Sequence, residues 1–557
     1  VQLNYSLCDT EDAFSTLYKY AASSIVISLD IETDSNNRIT CIGISLLGTN
    51  LKTRTFIIPF IDFGVDHYAS DDLYKLAIQT MQRICKLPQP KLFWNGGYDA
   101  LLLISYHAEP VNFTLDGLAI AHATHSELPK TLDFRASIHL HDYYYWKDEA
   151  DESRKKNDIQ GYWSYCARDA WNTLRIFLAQ VRETPAYAIK NYQMLFKMVY
   201  PYMYCNYEGV LVDQEKRLEN KVKAQAIVDK LLSELRVMSA NPEFNPNSSK
   251  QVAELLFDVI GAKPIKKKKK DSKTGKYVMK VSTDEKTLKK ISDQHPLIAL
   301  FVDRILEYRG EYKAISTYFE FMQHENRMLY GLDAFGTETA RAACRQSSFR
   351  IYDILEKKAA DRIKNLGAQI QNIPGYAKNM LIADEGFELA EADNNKSEAR
   401  CVALLSACKG LQAALGDKDK DFYRVLGTIF FGLAYSQVTT ELRNKVLKRI
   451  VHGRNYLMGD DTFIDNVGYK QIYEGAKLLG KEIGVGKDFK TVKDFVHFLL
   501  AQYNEPFPEI EEWYKEIKLE ILRNNTLTSP MGYTRYFFGD VMKDHQVFRS
   551  AVAHAPQ

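Results

Sequence analysis

The chain has 557 residues, room for three or four domains at about 150 residues each. It is 46% apolar and 26% charged with a formal net charge of +2, an average globular composition that excludes disordered, collagen-like and coiled-coil classes. A near-neutral balance names no partner, so any nucleic-acid surface must be local. No run approaches the ~20 apolar residues that span a bilayer. The start, VQLNYSLCDTEDAF, is acidic and lacks an apolar run, so a signal peptide is not expected. The cysteines at 8, 41, 85, 166, 205, 344, 401 and 408 include no C-x-x-C pair and read as scattered thiols of a reducing compartment, without a zinc site.

In chain order, SIVISLD (24–30), RITCIGISLL (38–47) and TFIIPF (55–60) are β-branched apolar runs that predict strands, and KLFWN (91–95) predicts a short one. From about residue 185 helical patterns dominate, and there is no internal repeat. Residues 261–290 hold twelve Lys against Asp271, Asp284 and Glu285, a local net of +9. This segment reads either as a solvated loop or as an arm for a phosphate backbone. D-S-K-T-G-K is turn chemistry, so a hairpin with a mobile tip is expected.

Asp30 and Glu32 end the first strand two residues apart, so both point to one face. Two acids beside a buried strand call for a cation, and a divalent metal pair meets that need. Asp99 follows a Gly-rich turn in Asn95-Gly96-Gly97-Tyr98-Asp99. Tyr165 and Asp169 share a helical face at i and i+4 in GYWSYCARDAWNTL. The ordered set D-I-E-T, N-x-x-x-D and Y-x-x-x-D resembles the three motifs of the DEDD 3′–5′ exonucleases, in the subclass with a tyrosine. The resemblance implies a ribonuclease H-like mixed sheet flanked by helices. It also implies metal binding by Asp30, Glu32, Asp99 and Asp169, with Tyr165 orienting the attacking water.

The rest of the chain resembles the polymerase part of family A DNA polymerases. Glu208-Gly209-Val210 with Asp213 fits the entry to the thumb, and Phe244, Asn245, Ser249 and Gln251 fit the thumb pattern. The Lys-rich arm then falls at the thumb tip, with Lys266, Lys267 and Lys268 as duplex contacts. FGTETAR (335–341) resembles the T-x-T-G-R segment, with Ala340 where glycine is usual and Arg341 near the primer terminus. Gln371 and Asn372 open a Q-N-I-P match that contacts DNA. The span between Arg341 and Gln371 is longer than the family's and reads as an inserted helix. FELAEADNNKSEAR fits motif A: Phe387, Leu389 and Ala392 suit a strand ending at Asp393, the catalytic magnesium ligand. Glu398 falls where the family excludes a ribose 2′-hydroxyl.

TTELRNKVLKRIVHGRNYLMG (439–459) fits motif B on the fingers helix. Lys445, Lys448, His452 and Tyr456 lie on one helical face. The resemblance implies that Lys448 assists the leaving pyrophosphate, that Tyr456 stacks near the templating base, and that Gly453 lets that base approach. Arg443 stands one residue out of phase with the family's triphosphate-binding arginine, whose place is held by Asn444. His452 replaces an aromatic residue, and Leu457 replaces a common glycine. Gly459-Asp460-Asp461 reads as a turn or cap. Arg549 and Gln557 match primer and template contacts in RSAVAHAPQ, and motif C, with its second metal-binding aspartate, is expected beyond them.

The expected architecture is an α/β exonuclease domain (1–190) followed by an α+β right-hand polymerase. That part divides into thumb (191–330, tip 261–290), palm with motif A (331–405), fingers with motif B (406–520) and a palm return (521–557) ending before motif C. The expected function is templated DNA synthesis from dNTPs with 3′–5′ proofreading. The cofactor is Mg2+ at both sites, with Mn2+ as a substitute. The expected partners are primer–template DNA, dNTPs and replication accessory proteins, with no membrane. A monomer is expected, in the cytoplasm, by analogy that of a bacteriophage's host. The alternative is a 3′–5′ exonuclease whose polymerase-like half only binds DNA.

Overall fold

The computed structural model of the chain describes residues 3–34, 37–270, 277–320, 326–345 and 368–556. Six strands in the first part form one mixed sheet. Its order is Tyr5–Leu7, Thr53–Pro59, Ile39–Gly48, Ser24–Thr33, Lys91–Phe93 and Phe113–Asp116. The strands expected at 24, 38, 55 and 91 are all present. The two edge strands were too short and too polar to carry a pattern. Ser24–Thr33 runs antiparallel to Ile39–Gly48, pairing Asp30 with Gly43 and Glu32 with Cys41, and parallel to Lys91–Phe93. The long helix Ile159–Glu183, capped by Asp158, lies across this sheet. A Cβ at Gly43 would stand 2.6 Å from the Cys166 carbonyl oxygen, so glycine lets helix and strand close up behind Asp30.

The chain leaves this unit through a small three-stranded sheet of Val210–Val212, Arg327–Met328 and Leu381–Ile382. Gly209 starts it at φ 67°, where a Cβ would stand 2.6 Å from the Met328 carbonyl. Helices Gln214–Met238 and Pro296–Ala314 then pack together through Val228, Leu231 and Leu235 against Phe301, Val302 and Ile305. The Lys-rich segment forms the expected antiparallel hairpin, Lys266–Lys270 with Tyr277–Val281. Its tip lies outside the described residues, as does the expected inserted helix between Arg341 and Gln371.

A helical unit from Ser397 to Asn524 packs around Phe422, Leu426, Ile450, Phe463, Phe495 and Tyr503. Its helix Tyr469–Leu478 meets helix Glu285–Gln294, which leads into Pro296–Ala314. The Asp293 carboxylate accepts the backbone N–H groups of Tyr469 (3.0 Å) and Lys470 (3.3 Å). Lys290 pairs with Asp465 at 3.2 Å and Lys470 reaches Asp303 at 4.0 Å. The C-terminal hairpin Thr526–Thr528 and Thr534–Tyr536 turns back onto the first unit. Asn191 and Thr534 exchange two hydrogen bonds (2.6 and 2.9 Å). Buried Arg535 joins Glu127 and Glu338, each at 2.5 Å. No described helix is long and apolar enough to cross a membrane.

One expected strand is not formed. Residues 383–393 make no ladder, and Phe387 (76% exposed) and Leu389 (58%) face outward. Among the described residues no neighbouring strand pairs with this segment, and an unpaired strand has no hydrogen-bonding partner to fix it.

Candidate active sites

Asp30, Glu32 and Asp169 form the one group of three or more metal-ligating side chains found among the described residues, with ligand atoms within 4.8 Å of one another. The strand pleat supplies the first two and the long helix the third. Burial, then the charges of Asp169, Glu32 and Asp99, push the Asp30 carboxyl well above its usual range, against Lys147. Burial and Asp169 raise Glu32 to about 7, opposed by Lys147, Arg154 and Tyr162. Such like-charge crowding is stable only with cations close by. Two half-buried carboxylates and one buried one offer the hard oxygen donors that Mg2+ or Mn2+ prefers, so the residues fit a divalent metal.

Asp99 sits in the first turn of helix Gly97–Ser105, outside that tight group but close enough to act on Asp30. Burial raises its carboxyl to about 8, helped by Asp116 and Glu32. Asp116 anchors the Gly-rich turn by accepting the N–H groups of Asn95 (3.2 Å) and Gly96 (2.7 Å). Tyr165 lies a turn before Asp169, as its spacing required.

Four residues of this site went unnoticed in the sequence. Trp146 Nε1 donates to Asp169 Oδ1 at 2.5 Å, and Lys147 Nζ lies 2.5 Å from Asp169 Oδ2. Tyr162 donates to Glu32 (3.4 Å) and accepts from Arg154 (3.0 Å). The run Tyr143-Tyr144-Tyr145-Trp146-Lys147, an aromatic string ending in a cation, was the available signal.

The second constellation also comes together, in part. Arg341 Nη2 donates to Glu398 Oε1 at 2.8 Å, and His452 Nδ1 lies 3.7 Å from Glu398 Oε2. The His452 and Tyr456 rings meet edge-on at 5.4 Å. Burial pushes the Glu398 carboxyl up, but hydrogen bonds from Tyr456 and Arg341 and the charges of Arg341 and His452 outweigh it and hold the pKa below the usual value. Gln371 donates to the Ala342 carbonyl at 3.1 Å, beside Arg341. Asn372 is exposed next to it, and Arg549 lies half-buried on helix His545–His554. Lys266, Lys267 and Lys268 lie on the hairpin, Lys267 tied to Asp284 at 2.8 Å. Gln557 is outside the described residues. Asp393 is exposed in the extended segment.

Motif B departs from a straight helix. Residues Arg443–Leu447 form a π-turn, in which the Lys448 N–H reaches the Arg443 carbonyl five residues back. A π-turn inserts one residue into the helical phase. Lys448 therefore follows Arg443 by one π-turn rather than by one α-turn plus a residue. Arg443 is steadied by Asp421 (3.0 Å) and by the Tyr423 ring (5.0 Å). Within the turn Lys445 pairs with Glu474 at 3.0 Å. Gly453 is buried, and a Cβ there would stand 3.3 Å from the Phe463 ring and 3.5 Å from the Met458 sulfur. Gly459-Asp460-Asp461 begins helix Asp460–Val467, as expected. Ala340 (φ 62°) and Leu457 (φ 50°), which stand where glycine is usual, both keep the left-handed backbone that glycine favours.

Against known proteins, the family model described as DNA polymerase family A matches residues 213–555. The DNA polymerase I of Borreliella burgdorferi is 23% identical over 565 aligned positions, covering 99% of this chain and 55% of that protein. The DNA polymerase of Escherichia phage T5 is 23% identical over 397 positions, 67% of this chain and 43% of its own. The chain thus spans about half the length of the curated relatives it matches. The fold is similar to a solved structure of the POL domain of Pol1 from M. smegmatis, in complex with DNA primer-template and dNTP. The TM-score is 0.66 at 15% identity, covering 99% of this chain and 86% of that one.

Proposed function

The chain belongs to DNA polymerase family A, and we propose that it extends a primer on a DNA template from dNTPs and removes nucleotides from a 3′ end at a separate, DEDD-type site. The observation that carries the second activity is the convergence of Asp30, Glu32 and Asp169, from two elements distant in sequence, within 4.8 Å. For the first, support comes from the family membership and from Arg341, Glu398, His452 and Tyr456 meeting in one cluster.

At the synthetic site, Lys448 and Arg443 hold the triphosphate and stabilise charge developing on the pyrophosphate. Glu398, kept charged by its partners, closes the space a 2′-hydroxyl would need. Tyr456 and His452 pack against the incoming nucleotide. Arg341, Gln371, Asn372 and Arg549 position the primer and template, and Lys266, Lys267 and Lys268 contact the duplex. Asp393 would hold magnesium there, and Asp30, Glu32, Asp99 and Asp169 would hold it at the hydrolytic site. Divalent metal, when bound, supplies Lewis-acid charge and an activated water at neutral pH. Tyr165 orients that water, and the acids fix where the terminal phosphodiester lies. A mispaired end costs less to unpair, which directs it to the hydrolytic site. The divergent motifs favour, by analogy, a replicase of bacteriophage type, working with replication accessory proteins.

The test uses a 5′-labelled primer–template, Mg2+ and all four dNTPs, with the chain and the product of its whole reading frame side by side. Degradation that Asp30→Ala abolishes supports the hydrolytic site. Extension by the Asp30→Ala protein supports synthesis. Degradation with no extension by either protein would replace this reading with an exonuclease whose second half only binds DNA.

A further inference from the structure

Lys147 belongs to no motif, yet it lies against the most crowded charge in the molecule. It sits in the loop before helix Glu149–Lys156, directly after the buried ring of Trp146. Trp146 holds one oxygen of Asp169 and Lys147 the other, both at 2.5 Å. The same ammonium donates to the Tyr165 hydroxyl at 3.2 Å and lies 5.2 Å from its ring centroid. A single cation therefore bridges an acid and the phenol of one site. Arg154, at 3.9 Å from Glu32, is the other cation at its rim.

This position conflicts with a metal ion. Both Asp169 oxygens are engaged, Oδ1 by the Trp146 N–H and Oδ2 by the Lys147 ammonium, so a divalent ion held by Asp30, Glu32 and Asp169 together would compete with one of them, and the ammonium repels it. Lysine can yield. Its charge is a point on a flexible four-carbon stem, and the side chain is 27% exposed, with room to swing. Its second partner, the Tyr165 hydroxyl, does not compete for metal.

We propose that Lys147 is a positioning residue of the hydrolytic site, a resident cation that holds Asp169 in place until divalent metal displaces it and then keeps the Tyr165 hydroxyl aimed. This inference rests on the exonuclease reading above. It separates metal binding from turnover. A competitor for Asp169 weakens metal affinity, whereas a guide for Tyr165 raises turnover. A merely structural ion pair would support both together.

The test compares the full chain with Lys147→Met, which keeps the apolar stem, and Lys147→Arg. Mn2+ binding is followed by calorimetry in an Asp393→Ala background, so that only the hydrolytic site is read. Turnover is followed as release of the 3′ nucleotide from a labelled single strand. For Lys147→Met, Mn2+ affinity is expected to rise about tenfold, the scale of losing one charge-assisted competitor. Its kcat is expected to fall about a hundredfold, with KM nearly unchanged, the lower range for removing a proton-handling group's guide. Lys147→Arg, with a stiffer planar head, should keep the weaker Mn2+ affinity and regain only part of kcat. Mn2+ affinity that is unchanged or lower in Lys147→Met, or unchanged kcat, overturns the proposal. A parallel loss of affinity, kcat and thermal stability, restored in full by Lys147→Arg, overturns it in favour of a structural pair. A wild-type chain that releases no nucleotide while binding Mn2+ sinks the exonuclease reading itself and the inference with it; wild-type turnover matched by Lys147→Met sinks the inference alone.

Discussion

Arg535→Met tests whether the C-terminal hairpin is fastened by charge. The Arg535 side chain is 3% exposed, and its guanidinium meets Glu127 on the first unit and Glu338 in the loop before Arg341. Methionine keeps the stem and removes the cation, leaving two carboxylates facing each other. Removing one partner of a buried ion pair costs about 3–5 kcal/mol. Glu127 is 26% exposed and Glu338 is half exposed, so solvent screens part of that penalty. The expected loss is about 2–3 kcal/mol, toward the lower end. Equilibrium urea unfolding, followed by tryptophan fluorescence, reads it as a lower midpoint. Adding Glu127→Gln and Glu338→Gln should recover most of the loss, because the stranded charges are then gone. A midpoint within ~0.5 kcal/mol of wild type, the usual range of an inconsequential surface change, would refute the reasoning. So would a triple variant no more stable than Arg535→Met.

Three further outcomes are expected. Ala340→Gly should stabilise the protein by about 0.5–1 kcal/mol: relief of a left-handed alanine is worth about 1–2 and glycine's extra chain entropy costs about 0.5–1. The same change at Ala343, on a strand, should destabilise it, and equal thermal shifts for the two would contradict the backbone argument. Burial, then nearby cations including Arg535, lower His122 to about 3 and His554 to about 4, so both are held neutral in the fold. The unfolded chain then binds more protons below pH 6.5, and stability should fall as pH drops from 6.5 toward 4, by up to about 1.4 kcal/mol per unit for each histidine. The raised Glu32 carboxyl works in the opposite direction, so the comparison is of wild type with His554→Gln, whose urea midpoints should fall less steeply; identical slopes would discard the idea. Finally, Arg443→Ala should raise the KM for dNTP in single-nucleotide incorporation about tenfold while Asn444→Ala does little. The reverse pattern would refute the triphosphate role of Arg443.

Legibility followed the range of the physics. Strand periodicity and the i, i+4 spacing of Tyr165 and Asp169 are local, and the structure brings Asp30, Glu32 and Asp169 together as those patterns required. Lys147 escaped because a lysine in a loop ordinarily reads as solvated, and only tertiary packing sets it beside Asp169. The π-turn at Arg443–Leu447 has no residue signature, so the register of motif B counted along an ideal helix does not carry over to the structure. Phe387 and Leu389 read as a strand on composition, but strand formation depends on a neighbour that no stretch of twelve residues can reveal. Ala340 and Leu457 were visible as departures from glycine, and what they kept, a left-handed backbone, was not.

The contact of Asp293 with Tyr469 and Lys470 has a consequence for motion. The helical segment 214–314 cannot swing away from the helical unit 397–524 without uncapping helix Tyr469–Leu478 and parting Lys290 from Asp465. Each of these bonds is exposed or only partly buried, charge-assisted and worth about 1 kcal/mol. Together they form a weak fastener that is sensitive to screening. Raising ionic strength shortens the Debye length from about 30 Å at 0.01 M to about 8 Å at 0.15 M, so the open fraction rises with salt. Freedom of the two arms is therefore tuned by the electrolyte as well as by anything the arms hold.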